Sequence, residues 1–303
     1  MRIAIASGKG GTGKTTVATN LALAAARRGL RVAYFDCDVE EPNGHLFLRP
    51  RIDASRAALR LHPRVDESKC THCDQCGAIC QFSAIVCIGG QVLVYPELCH
   101  GCGGCARVCP PGAIAEVERQ IGVVETGSVH AGADRAEADA PLRFAQGTLR
   151  IGEAMSTPLI RQLKEELGGE ELAIFDCPPG ASCPVIESVR GADLVLLVAE
   201  PTPFGLNDLG LAVETLEAVG LPMAAVINRA GENEEKTRAF CAAKNIPLWA
   251  AIADDRRVAQ AYSRGELALD AVPAFRQAIE AVLDRLSSAD RKQSRTESEA
   301  ARR

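Results

Sequence analysis

The 303 residues predict an α/β fold: a mostly parallel, doubly wound sheet interrupted by a small α+β insert. Three observations carry this. Apolar, β-like segments alternate with helical periodicity along most of the chain, as crossovers between parallel strands require. A glycine-rich turn joins the first such strand to the first such helix. Two matching cysteine runs stand between residues 70 and 109, where the alternation stops.

Composition agrees with this class. Hydrophobic residues make up 47% and aromatics only 4%, which suits an Ala/Val/Leu/Ile core. A net charge of −5 argues against a nucleic-acid partner gripped through a dominant basic face. The apolar stretch from Met1 to Ser7 is too short for a secretory signal. No apolar run approaches the roughly 20 residues that span a bilayer. The expectation is a cytoplasmic protein in a reducing environment, working without membrane or nucleic acid.

The first strand covers Arg2–Ser7 and runs into Gly8-Lys9-Gly10-Gly11-Thr12-Gly13-Lys14-Thr15-Thr16, followed by a helix over Val17–Arg28. Strand, loop and helix in this order are the context that G-x-x-x-x-G-K-[ST] needs. Gly8, Gly10, Gly11 and Gly13 let successive backbone N–H groups converge on phosphate, with Thr12 and Thr16 flanking them, at a helix N-terminus of partial positive charge. Lys14 is expected on the β and γ phosphates of ATP, and the Thr15 hydroxyl on Mg²⁺.

A second strand, Arg31–Phe35, delivers Asp36-Cys37-Asp38; for Asp36, turn or cap duty remains a competing reading. A later apolar strand, Leu172–Phe175, ends at Asp176 before Cys177-Pro178-Pro179-Gly180. An acid at such a strand tip holds the Mg²⁺ hydration shell. Gly180 is placed to bring its N–H to the γ-phosphate. Asn228 ends the strand Ala224–Ile227 and offers the donor and acceptor that a nucleotide base edge needs. Helices are expected near 158–167, 206–219, 234–244, 256–264 and 271–286, and a strand at 194. Residues 127–141 read as an exposed loop, and the tail 287–303 as disordered.

The cysteine runs are Cys70-x2-Cys73-x2-Cys76-x3-Cys80 and Cys99-x2-Cys102-x2-Cys105-x3-Cys109. Three thiolates on a tight loop suit a cubane iron–sulfur cluster, and in two-cluster ferredoxins the fourth cysteine serves the other cluster. Cys70, Cys73, Cys76 and Cys109 are therefore assigned to one [4Fe-4S] cluster, and Cys99, Cys102, Cys105 and Cys80 to the other. Zinc prefers two separated C-x2-C pairs, and disulfides need an oxidising compartment, so both fit less well. Gln81 replaces the proline that follows the fourth cysteine in the second run. Cys37, Cys87 and Cys241 read as small buried hydrophobes.

The early lysine makes the loop resemble that of the MinD/ParA/Mrp superfamily of P-loop ATPases, to which the nitrogenase iron protein also belongs. The whole chain resembles those members that carry an inserted two-cluster ferredoxin domain. The resemblance implies a P-loop NTPase sheet and an ATP-dependent homodimer in which Lys9 crosses to the partner's nucleotide. It also implies that Asp38 orients the attacking water and that Asn228 reads the base. The expected division is 1–62 and 118–286 for the ATPase, 63–117 for the insert and 287–303 for the tail. Three functions compete. The leading one couples ATP turnover to electron transfer with a redox partner protein. The second carries clusters to apo-proteins, with Cys183 as a thiol that could meet its symmetry mate. The third is a positioning module with structural clusters.

Overall fold

A computed structural model describes residues 1–130, 142–231 and 233–300, with side chains described as far as residue 288. One nine-stranded sheet organises the chain. Its strands are β1 (Arg2–Ala6), β2 (Val32–Asp36), β3 (Arg51–Val65), β6 (Ile114–Val129), β7 (Leu142–Leu149), β8 (Leu172–Asp176), β9 (Leu194–Ala199), β10 (Met223–Ala230) and β11 (Leu248–Ala253). The hairpin β4 (Ile85–Ile88) and β5 (Gln91–Val94) forms a separate small sheet. The large sheet has the order β11-β10-β9-β1-β8-β2-β7-β6-β3. Its first seven strands are parallel, while β6 is antiparallel to both β7 and β3.

Both faces of the parallel part are buried, so its strands read as continuous apolar runs. Ile3, Ile5, Tyr34, Phe144 and Ile174 point to one face. There they meet helices α1 (Lys14–Arg27) and α11 (Pro273–Ala300), the latter through Phe275, Ile279, Val282, Leu283 and Leu286 at helical spacing. Ala4, Phe35, Ala145, Phe175 and Val195 face the other layer, built from α5 (Thr157–Lys164), α6 (Cys183–Val189) and α7 (Pro203–Val219). Helix α8 (Glu234–Ala243) crosses from β10 to β11, and the short helices α9 (Arg256–Ser263) and α10 (Ala268–Ala271) lead from β11 to α11.

The insert departs from the expected boundaries. β3 and β6 pair over their whole length, from Arg51↔Ser128 to Val65↔Ile114, as a ribbon extending the main sheet. Both expected cuts, after residue 62 and after 117, fall inside this ribbon. The cysteine domain occupies its tip, residues 66–113, with two short helices, α3 (Gln75–Ile79) and α4 (Gly104–Arg107). Pro63 is tolerated because β3 is the sheet's outer edge. Gly127–Val129, expected in a loop, close β6 instead; the rest of that loop, 131–141, lies outside the described residues. The tail expected to be disordered from Ser287 continues α11 to Ala300. Its Ala, Arg, Lys, Gln and Glu are strong helix formers. A helix α2 (Gly44–Leu48) and α6 were not anticipated.

Candidate functional site: a phosphate loop and two four-cysteine cavities

The loops after β1, β2, β8 and β10 meet at one end of the sheet, around a cavity of about 390 Å³. It is lined by Gly10, Gly11, Gly13, Lys14, Thr15, Thr16, Asp38 and Asn228, together with Pro179, Asp254 and Tyr262. Gly11 and Gly13 adopt φ of +75° and +92°, which turn the loop into the start of α1. Gly8 serves packing: a Cβ there would lie 2.0 Å from the Asp208 carbonyl oxygen of α7. The Thr12 hydroxyl is buried without a partner among the described residues, and Lys14 is nearly buried. An orphaned donor beside a glycine cradle and a buried ammonium fits a phosphate group. A larger concavity of about 600 Å³ opens at the other end of the sheet, but its Arg143 is already paired with Glu170 and it holds none of the expected site residues.

Asp36 and Asp176 end neighbouring strands in direct register, and both are buried. Burial and then the charge of Asp176 push the Asp36 carboxyl well above the usual carboxylate range. Asp36 accepts hydrogen bonds from the backbone N–H groups of Gly44 (2.8 Å), Asn43 (3.0 Å) and Asp38 (3.2 Å). It therefore fixes the shape of the loop carrying Asp38, the capping role that competed for it in the sequence. Tyr34 donates its hydroxyl to Asp176 Oδ2 at 2.8 Å, while Asp176 Oδ1 has no partner among the described residues. Burial raises the Asp176 carboxyl against the lowering influence of Thr15, Tyr34 and Lys14. An unpartnered carboxylate oxygen beside the Thr15 side chain fits a hydrated Mg²⁺. Asp38 is pushed up to about 6 by burial and by Asp176, with Lys14 opposing.

Three expected site residues also have partners within the chain. The Gly180 N–H, expected at the γ-phosphate, donates to the Ser7 carbonyl at 3.1 Å, tying the loop after β8 to the end of β1. Asn228 lines the cavity, but its Nδ2 donates to the Thr12 carbonyl at 2.7 Å, so the amide also braces the phosphate loop. Lys9, expected to reach a partner subunit, forms an ion pair with Glu200 at 3.0 Å, an acid that also pairs with Arg229 at 2.9 Å. The sequence pattern gave no sign of Tyr34 or Glu200 as partners, because neither belongs to a motif.

The cysteines sort into two groups. Cys70, Cys73, Cys76 and Cys109 line one cavity with Val65 and Ile114. Cys80, Cys99, Cys102 and Cys105 line a second with Pro63, Phe82, His100 and Glu116. In each, three cysteines of one run meet the fourth of the other. The two runs share a backbone. Positive φ recurs at His72 (53°) and Gly101 (65°), at Asp74 (61°) and Gly103 (69°), and at Ser83 (51°) and Gly112 (63°). The N–H of Ala84 donates to Cys80 Sγ, and that of Ala113 to Cys109 Sγ, each at 3.3 Å. Against the raising effect of burial, the backbone N–H groups of Phe82, Ile85, Ala84 and Ser83 hold the Cys80 thiol below its ordinary value. Convergent thiols with amides aimed at sulfur fit iron–sulfur ligation. Cys37 and Cys241 are buried as expected. Cys87 is only half-buried and lies 3.7 Å from Cys76, sulfur to sulfur. Cys183 is exposed at the start of α6.

Residues 3–268 match the model described as the CobQ/CobB/MinD/ParA nucleotide binding domain. The chain belongs to this family. It is 34% identical over 235 residues to an uncharacterized protein of Methanocaldococcus jannaschii, covering 77% of this chain and 79% of that one. An iron-sulfur cluster carrier protein of Pyrococcus abyssi is 25% identical over 230 residues, covering 75% of this chain and 60% of that one. Among solved structures, the septum site-determining protein MinD of Pyrococcus horikoshii, complexed with Mg-ADP, superposes with a TM-score of 0.58 at 20% identity. That match covers 94% of this chain and 95% of the other and shows the shared α/β fold. Among the described residues no helix is long and apolar enough to cross a membrane.

Proposed function

We propose that this family member is an ATP-hydrolysing iron–sulfur protein that couples nucleotide turnover to electron transfer through two [4Fe-4S] clusters. The observation carrying the reading is the sorting of eight cysteines into two four-cysteine cavities on a ribbon continuous with the ATPase sheet. Four protein thiolates per cubane favour keeping a cluster over giving it away. Bound clusters would supply one-electron redox chemistry. Raising an electron by about 200 mV takes about 5 kcal/mol, a demand that the energetics permit.

At the nucleotide, Gly10, Gly11, Gly13 and the start of α1 would cradle the phosphates, with Lys14 neutralising the developing charge. Thr15 and Asp176 would hold Mg²⁺, which supplies charge stabilisation at the transferred phosphoryl group. Asp38 would orient the attacking water. In an ATP-dependent homodimer Lys9 would leave Glu200 for the partner's nucleotide, an exchange of one anion for another. Asn228 would border the base. The electron would pass to a redox partner protein in the cytoplasm.

A cluster-carrier function is the second reading, favoured by the similarity to the Pyrococcus abyssi carrier. One experiment separates them. Anaerobically purified, reduced protein is followed by electron paramagnetic resonance with MgATP or MgADP, then mixed with an apo-ferredoxin. A nucleotide-dependent potential shift with iron retained supports electron transfer. Loss of iron to the apo-protein supports the carrier and overturns the leading reading.

A further inference from the structure

Glu153 lies on the loop after β7, and its side chain is fully buried. Arg119 Nη1 on β6 donates to its Oε2 at 2.7 Å, and Arg60 Nη2 on β3 reaches its Oε1 at 2.8 Å. The first contact is an aligned hydrogen bond. The second is an ion pair only, since Oε1 lacks an aligned donor. Both arginines continue into the cysteine domain. Arg60 Nη2 donates to the Pro96 carbonyl at 2.8 Å, and Arg119 Nη2 to Glu97 at 2.9 Å. The turn Pro96–Leu98 immediately precedes Cys99. The stem of Arg60 also lies beside Gly101, where a Cβ would be 3.4 Å from its Cγ.

Toward the nucleotide, the chain of contacts is equally direct. The Glu153 N–H donates to the Arg150 carbonyl at 3.0 Å, and the Arg150 N–H to that of Ile121 at 2.8 Å. The Leu149 N–H donates to the Val39 carbonyl at 2.8 Å, and Val39 adjoins Asp38. Val39 also packs on Gly147, where a Cβ would lie 2.7 Å from it. A loop that orders on a γ-phosphate would thus pull on the end of β7 and on Glu153.

The two cysteine cavities are not equivalent with respect to this joint. Pro63 and Glu116 are paired on the ribbon and line the cavity of Cys80, Cys99, Cys102 and Cys105. Val65 and Ile114, two residues nearer the tip, line the other. Arg60 Nε and Nη1 are buried and lack acceptors among the described residues, so the joint retains polar capacity for a second arrangement.

We infer that Glu153 is a positioning residue that transmits the state of the Asp38 loop to the cavity of Cys80, Cys99, Cys102 and Cys105, leaving the other cavity indifferent. This rests on the nucleotide-coupled reading proposed above. The test is hydrogen–deuterium exchange on cluster-loaded full-length protein with MgADP or a non-hydrolysable MgATP analogue, alongside redox titration of each cluster. In the wild type, exchange over 149–156 and 96–104 should differ between nucleotides, while 70–76 should not, and one cluster's potential should move. In Glu153→Gln the difference at 149–156 should persist while that at 96–104 and the potential shift are lost. Arg119→Gln, with a less buried side chain, gives the same outcome if Glu153→Gln does not fold. A wild type without any nucleotide response overturns the functional reading itself. A responsive wild type whose variants respond equally, or whose two clusters shift together, overturns this inference alone.

Discussion

Replacing Gly13 by alanine tests how the phosphate loop is braced. Gly13 sits at φ +92°, and a Cβ there would lie 2.3 Å from Asn228 Nδ2. Holding an L-residue in the left-handed region costs about 1–2 kcal/mol. The clash displaces an amide that donates to the Thr12 carbonyl at 2.7 Å in a buried setting. Losing such a bond and leaving its partner unsatisfied costs about 1–3 kcal/mol. Gly13→Ala should therefore destabilise by about 2–5 kcal/mol, the sum of those ranges. The assay is anaerobic urea unfolding followed by far-UV circular dichroism, with the Asn228→Ala and double variants. In the double variant no amide remains to be displaced, so its cost should fall below the sum of the singles by about 1 kcal/mol or more. A Gly13→Ala effect below about 1 kcal/mol, or strict additivity, would refute the bracing role.

Other outcomes follow from the same geometry. Asp38 is pushed up to about 6, and in the proposed mechanism it would act as the anion, so kcat/KM for ATP should rise with pH through that region and level off above it. Asp38→Asn should lower kcat and flatten the profile; an unchanged profile would remove Asp38 from the chemistry. Cys109→Ser should halve the iron content, with the loss confined to the cluster sharing Cys70, Cys73 and Cys76; loss of the partner cluster instead would disprove the crossed assignment. Ser83→Gly relieves a left-handed residue at about 1–2 kcal/mol while adding about 0.5–1 kcal/mol of unfolded-chain entropy. It should raise stability by about 0–1.5 kcal/mol in thermal unfolding of the loaded protein, whereas a drop would show that Ser83 makes a contact worth more than its strain.

The parallel sheet and its two faces were legible because buried strands such as Leu194–Ala199 are unbroken apolar runs and their helices keep a 3.6-residue period. The phosphate loop and the cysteine runs were legible because their chemistry fixes both residue type and spacing. The ribbon was not. β3 is an edge strand exposed along most of its length, so Arg51, Ala54, Ser55 and Ala57 carry no alternating pattern. Its partner β6 ends in Thr126-Gly127-Ser128, residues that read as turn formers until a neighbouring strand supplies the pairing. Gly180 was assigned to phosphate from its place after Asp176 and Lys9 from resemblance, and both also have partners within this chain, Ser7 and Glu200, that no local pattern reveals. Glu153, Arg60 and Arg119 escaped notice because residues far apart in sequence meet only once the ribbon folds against the loop after β7.

The most direct test measures the midpoint potentials of the clusters in anaerobic protein holding about eight irons per chain, two cubanes of four, with MgADP and then with a non-hydrolysable MgATP analogue. Coupling predicts that at least one potential moves with the nucleotide while iron stays bound. Two potentials identical in both states, in protein that demonstrably binds the analogue, would contradict it.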